Sequence, residues 1–148
     1  MFFTQLFKDA RYFQIIFQCI FLSYGIFYLQ WDNEYWLYAT YFISCLATQF
    51  VFEWIMGKKS IPFWKRYTNG IPSVLISAFG LSLLLKTNDI GVAILAAIAA
   101  ITSKYILRIK GKHIFNPSAL GIVFAILLTN NAWISPGQWG SNAVILFG

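Results

Sequence analysis

The stretch Gly111-Lys112-His113-Ile114-Phe115-Asn116-Pro117-Ser118-Ala119-Leu120-Gly121 joins a short basic segment to an apolar run that continues to Leu128. Asn is a favoured N-cap and Pro is favoured at the first helical position, so Asn116-Pro117 predicts a helix start. Such a start aims unpaired backbone N–H groups and a partial positive charge at whatever lies in front of it. Lys110, Lys112 and the only histidine of the chain, His113, stand directly before it. The spot suits a phosphate, a carboxylate or an electron-rich ring. The plainer alternative is a lipid-facing loop followed by an ordinary helix cap. Lys112, His113, Asn116 and Ser118 are the candidate cofactor-binding residues.

The same alternation of basic linker and apolar run recurs along the chain. The first run is Tyr12 to Leu29 and the second Tyr35 to Ile55, each close to the ~20 residues that span a bilayer core. The third, Ile71 to Leu85, reads as short, and the fourth runs from Ile90 to Leu107. The fifth is apolar only from Pro117 to Leu128. That is too short to span unless Ile114 to Asn131 is helical or the segment is re-entrant. Trp133 to Gly140 reads as a turn-rich loop with two tryptophans, and Ala143 to Phe147 as the beginning of another apolar stretch.

Composition agrees with a membrane setting. Hydrophobic residues make up 59% of the 148 and charged residues 11%. Soluble domains hold about 45–50% and about 25%, so this chain lacks the polar groups to cover a water-facing surface. The expected fold is an all-α integral membrane protein of about five to six transmembrane helices, a single transmembrane domain over residues 1–148. The net charge of +6 does not point to nucleic acid, because the basic residues are spread between apolar runs rather than gathered in one patch.

Their positions predict the topology. Lys8 and Arg11 precede the first run. Lys58, Lys59, Lys65 and Arg66 lie between the second and third, and Lys104, Arg108, Lys110 and Lys112 lie at or after the end of the fourth. All of these fall on one side of the membrane. Lys86 falls on the other, with Asp32, Glu34 and Asp89. The excess of Lys and Arg in cytoplasmic loops places the N-terminus and the His113 loop of this multi-pass chain in the cytoplasm. Tyr24 to Trp36 lacks the small-residue pattern of a cleavable signal peptide.

Small residues recur at helical spacing. Ser73, Ser77 and Gly80 share one face of the third run, and Ala93 with Ala97 and Ala96 with Ala100 share faces of the fourth. Such spacing lets helix backbones approach closely, although Ala is simply abundant in membrane helices. Aromatic residues crowd the first two runs and suit lipid-facing bulk, so the bundle interior is expected nearer the third to fifth runs. Packed alone, these runs would leave a Ser- and Ala-lined face uncovered, which predicts an obligate integral partner.

Self-contained catalysis is poorly supplied. Cys19 and Cys45 lie inside apolar runs and far from any Cys-x-x-Cys spacing, so no metal site is expected. One histidine excludes a two-His arrangement. Glu53, the only acid near a span, lies about one turn from a helix end, where it can pair with Lys58 or Lys59. No phosphate-binding glycine loop and no Ser–His–Asp set is present, and no catalytic residue is assigned.

Ser103 to Gly121, with its Phe115-Asn116-Pro117-Ser118-Ala119 step, together with Ala132-Trp-Ile-Ser-Pro-Gly-Gln-Trp-Gly140, resembles part of the NqrB/RnfD family. Its members are integral membrane components of the sodium-pumping NADH:quinone reductase and of the Rnf electron-transport complex. The resemblance covers Ile71 to the C-terminus, corresponding to the N-terminal half of family members, which carry Phe-Asn-Pro-Ala where Ser118 stands here. It implies ion-coupled electron transfer through the bilayer on a flavin, FMN or riboflavin. It also implies about ten helices in two inverted five-helix repeats, with short or broken helices near the centre. The family's flavin-linking threonine, in a Ser-Gly-Ala-Thr-like sequence, has no counterpart here. The chain is therefore expected to be the N-terminal repeat of a longer or split subunit, partnered by a missing C-terminal half or other integral subunits, or else a reduced relative without covalent flavin. A non-redox transporter half, or a structural subunit of a larger assembly, is the alternative.

Overall fold

The computed structural model describes residues 8–30 and 35–134. Asp32 and Glu34, the loop beyond Ile134 and the Ala143–Phe147 stretch lie outside the described residues. Five helices account for most of the rest: α1 (Ala10–Phe27), α2 (Tyr35–Met56), α3 (Phe63–Leu84), α4 (Ile90–Ile106) and α5 (Pro117–Leu128). Two small antiparallel ribbons sit at the helix ends. Strand β1 (Leu85–Thr87), which follows α3, pairs with β4 (Ala132–Ile134), which follows α5. Strands β2 (Arg108–Ile109) and β3 (Lys112–His113) form a hairpin between α4 and α5. Its two turn residues, Lys110 and Gly111, both have positive φ, at 52° and 80°. That backbone matches the twist of a two-residue hairpin and explains a glycine at the second position.

Three helices, α1, α2 and α3, are long and apolar enough to cross a membrane. At 17 and 12 residues, α4 and α5 are shorter. The third helix corrects the sequence reading: it is not short, because it begins at Phe63 and is 22 residues long. Lys65 and Arg66 therefore lie in its first turn rather than in a loop. Pro72, inside the helix, withholds an N–H from the preceding turn. Thr68 Oγ1 bonds back to the Trp64 carbonyl at 2.8 Å, and Gln49 Nε2 of α2 donates to the Tyr67 carbonyl at 3.1 Å. These bonds carry the helix through a polar stretch that hydropathy alone does not recognise.

The short helix α5 is built as its sequence predicts. Asn116 caps it with its side-chain oxygen 3.1 Å from the Ser118 N–H, and Pro117 occupies the first turn. The helix ends at Leu128, where Thr129 Oγ1 returns to the Ala125 carbonyl at 2.6 Å.

The core lies where α3, α4 and α5 meet α2. Tyr41, Cys45, Ala78, Leu81, Leu85, Ile101 and Ala125 are fully buried in it. Ala93, Ala96, Ala97 and Ala100 are also fully buried. The alanines of the expected Ser- and Ala-lined face are thus covered within the chain, while Ser73 of α3 is only partly buried. A Cβ on Gly121 of α5 would fall 2.5 Å from the Ala96 carbonyl and 2.8 Å from the Ala100 Cβ. The two backbones touch there as small-residue packing requires. The outward faces are aromatic and aliphatic instead, with Phe17, Phe27, Tyr28, Ile43 and Leu127 exposed.

Candidate functional site

The segment entering α5 lies across α1 and α3. His113, Ile114, Phe115, Asn116 and Pro117 form one wall of a groove of about 470 Å³, with Arg11 and Gln14 of α1 and Ser73, Ile76 and Ser77 of α3 forming the others. A second hollow of about 370 Å³ adjoins it through Asn116. Gln18 and Phe21 of α1, Gly80, Leu83 and Leu84 of α3, and Ser118 line that hollow. Both volumes fall in the ~300–1,000 Å³ range of small-molecule clefts.

The depth of this site follows from helix geometry. Gln18 is nine residues into α1, so it lies ~12 Å along the axis from Ala10. Asn116 and Ser118 line the same hollow as Gln18. Helix α5 therefore starts level with the middle of α1 rather than at its end. A Cβ on Gly80 would lie 2.6 Å from Ser118 Oγ, so glycine is what lets the first turn of α5 seat against α3.

The helix start is largely self-contained. Pro117 has no N–H, the Ser118 N–H goes to Asn116 Oδ1, and the Leu120 N–H goes to the Asn116 carbonyl at 3.1 Å. Ser118 Oγ also donates to Asn116 Oδ1, at 2.7 Å. The open polar group of the site lies across from this turn, on α1. Gln18 donates weakly through Nε2 to the Ile76 carbonyl at 3.4 Å, while its Oε1 is buried without a donor.

The four sequence-predicted residues separate. His113 and Asn116 share the groove, and His113 shares it with Arg11. Ser118 lies in the adjoining hollow. Lys112 is exposed on β3, opposite Ile109, and lines neither space. Successive strand residues point to opposite faces, so only one of the basic pair can turn toward the groove. Sequence reading missed Arg11, Gln14 and Gln18, because polar residues one or two turns apart on an apolar helix carry no motif. Lys104 is buried in α4 with no carboxylate partner among the described residues.

Glu53 has partners other than those expected. Its carboxylate is 3.3 Å from Arg66 Nε and accepts the Tyr105 hydroxyl at 2.9 Å. Tyr105 in turn stacks on Phe52 at 4.8 Å, with the Arg108 guanidinium 5.3 Å from its ring. The network ties the ends of α2, α3 and α4 together and supports the structural role over a binding one. Among the described residues no cluster of His, Cys, Asp and Glu could hold a metal ion. No family model, no curated protein and no solved structure matches this chain.

Proposed function

We propose that this chain is a membrane component of an ion-coupled electron-transport complex of the Rnf or sodium-pumping NADH:quinone reductase kind. In this reading it sits in the bacterial inner membrane with its N-terminus in the cytoplasm. Its five to six membrane helices supply one repeat of an inverted-repeat bundle. Its partners are a C-terminal half or other integral subunits, and its groove binds a flavin, FMN or riboflavin.

One observation carries the reading: α5 starts inside the bundle, and the hollow beside its first turn is lined by Gln18, whose Oε1 is buried without a donor. Discontinuous helices that begin within the membrane are how transport folds place polar groups at a central site. The Phe-Asn-Pro-Ser-Ala step that carries the family resemblance is the step that builds this start.

The residues present fit a flavin. A buried acceptor without a donor carries a desolvation cost of about 1–3 kcal/mol until an N–H reaches it. Gln18 Oε1 is such an acceptor, and a turn of its side-chain amide toward the hollow would bring it to the N–H that the pyrimidine edge of a flavin presents. His113 and Arg11 lie at the other end of the groove, where the Arg11 guanidinium already pairs with Asp9 at 2.6 Å, so that end suits a ring carbonyl or hydroxyl better than a phosphate. Phe21 and Leu83 offer apolar surface to a planar ring. When bound, a flavin would accept and release electrons one or two at a time. The chain's own part is to orient it, exclude water on the α3 side and hold its polar edges.

The self-contained cap of α5 favours a second reading, a non-redox transporter half or structural subunit, in which Asn116 and Ser118 only cap the start of a helix. The visible spectrum of the complex purified from native membranes separates the two. Stoichiometric flavin absorbance is expected. A colourless complex containing this chain would overturn the electron-transfer reading.

A further inference from the structure

We propose that the hairpin between α2 and α3 is a binding site for anionic phospholipid headgroups. The turn, Gly57 to Pro62, is held from within by one side chain. Arg66 donates to the Glu53 carbonyl at 3.0 Å, to the Lys58 carbonyl at 2.5 Å and to the Ile61 carbonyl, while its Nε faces the Glu53 carboxylate. That single guanidinium satisfies carbonyls which the end of α2 leaves open. It also engages the Glu53 carboxylate, whose other oxygen takes the Tyr105 hydroxyl. Lys58, Lys59 and Lys65 are left exposed, with no ion pair among the described residues. Three uncompensated cations thus project from this turn and the first turn of α3, over a backbone that is already fixed.

Beside them is a cluster of rings. Phe63 packs against Phe50 at 5.0 Å, Trp64 at 5.4 Å, Trp54 at 6.0 Å and Tyr67 at 6.1 Å. The cluster holds its two indoles outward, Trp54 at 72% and Trp64 at 68% exposure. Tryptophan is enriched where a membrane meets water, with its ring at headgroup level. Basic clusters next to a membrane helix attract anionic lipids. The hairpin joins two helices long and apolar enough to cross a membrane, so its lysines and indoles lie at the level of phosphates and glycerol. The proposal rests on the membrane reading of the chain and is independent of flavin binding.

The test is native mass spectrometry of the full chain in non-ionic detergent, titrated with phosphatidylglycerol or with phosphatidylcholine of the same acyl chains. The unmodified protein should prefer phosphatidylglycerol by at least roughly tenfold, given the contribution expected from each basic residue near a lipid surface. K58Q/K59Q/K65Q should lose that preference while still taking up phosphatidylcholine. K58R/K59R/K65R should keep it, and so should K110Q/K112Q, which removes two lysines of the other basic turn. Should the triple glutamine variant fold poorly, K59Q/K65Q should show an intermediate loss at unchanged helicity. Inorganic phosphate in tenfold excess should not displace the lipid. The proposal fails if the unmodified protein shows no preference, if the glutamine variants keep it, if K110Q/K112Q loses it equally, or if phosphate alone competes. Failure to take up either lipid would instead count against the membrane reading beneath it.

Discussion

Gly80 and Ser118 meet so closely that a single added carbon on the glycine would lie 2.6 Å from the serine oxygen and 2.8 Å from its Cβ. This contact seats the first turn of α5 against α3. Ser118 is buried, and its hydroxyl is committed to Asn116, so it cannot swing aside freely. Gly80→Ala should therefore destabilise the fold by about 1–3 kcal/mol, the usual cost of overpacking. Ser118→Gly should recover much of that loss in the double variant. Thermal unfolding in detergent of the two singles and the double would show the coupling, and additive effects would refute the contact.

Gly121 makes a harsher case. The atoms a Cβ would meet there include the backbone carbonyl of Ala96, which no rotamer change can move. Gly121→Ala should push α5 away from α4 and cost more than Gly80→Ala does. Gly111→Ala should behave differently, since nothing lies within 4 Å and the only penalty is the positive φ of 80°, which should amount to about 1–2 kcal/mol. The ranking of the three melting temperatures tests both statements together.

How far the sequence can be read depends on which physical signal each element carries. The start of α5 is legible to the residue, because Asn and Pro at a helix start act locally through one side-chain oxygen and one fixed φ. The ends of α1, α2 and α4 lie within about two residues of the limits of their apolar runs. Helix α3 reads too short from hydropathy, because its first two turns hold Lys65, Arg66, Thr68 and Asn69 and depend on bonds from Gln49 and Arg66. Those bonds are long-range and leave no trace in the apolar pattern. The groove and its adjoining hollow are half legible for the same reason. His113 and Asn116 announce themselves by motif, whereas Arg11, Gln14 and Gln18 matter only because α1 lies beside α3.

Asp9 makes the start of α1 sensitive to acid. Its carboxylate accepts from the Arg11 side chain at 2.6 Å and from the Arg11 N–H at 3.0 Å, which together hold its pKa below the ordinary 3.8. A lowered folded-state pKa means the cap contributes fully above the ordinary value. The contribution fades as the pH falls from about 3.8 through the lower folded value. Carbon-13 titration of the Asp9 carboxyl should show that lowered midpoint, and Asp9→Asn should flatten the acid limb. An ordinary midpoint would remove the cap from the account.

Topology can be read by labelling. Lys112 is exposed on the β2–β3 hairpin, and Asn130 lies after α5, beside the β1–β4 ribbon. Single cysteines at these positions, in a background with Cys19→Ser and Cys45→Ala, should react from opposite sides of the membrane. Lys112→Cys should label only after the cytoplasmic side is opened. Labelling of both from outside in intact cells would overturn the orientation argued from the basic residues.

The groove makes the most direct prediction about function. Gln18→Leu removes the orphan oxygen while keeping the approximate volume, so it should leave stability equal or better and weaken flavin retention by roughly tenfold, the ~1.4 kcal/mol of one hydrogen bond. His113→Ala should weaken retention as well, because His113 lines the groove wall facing Arg11. Lys112→Ala should change nothing, since its side chain lines neither space. Asn116→Ala should lower stability by about 1 kcal/mol through loss of the cap. Flavin content per mole of the purified complex, measured alongside its melting temperature, distinguishes binding losses from folding losses. Unchanged flavin in Gln18→Leu and His113→Ala would reduce the groove to a gap between helices, and α5 to a short helix with a good cap.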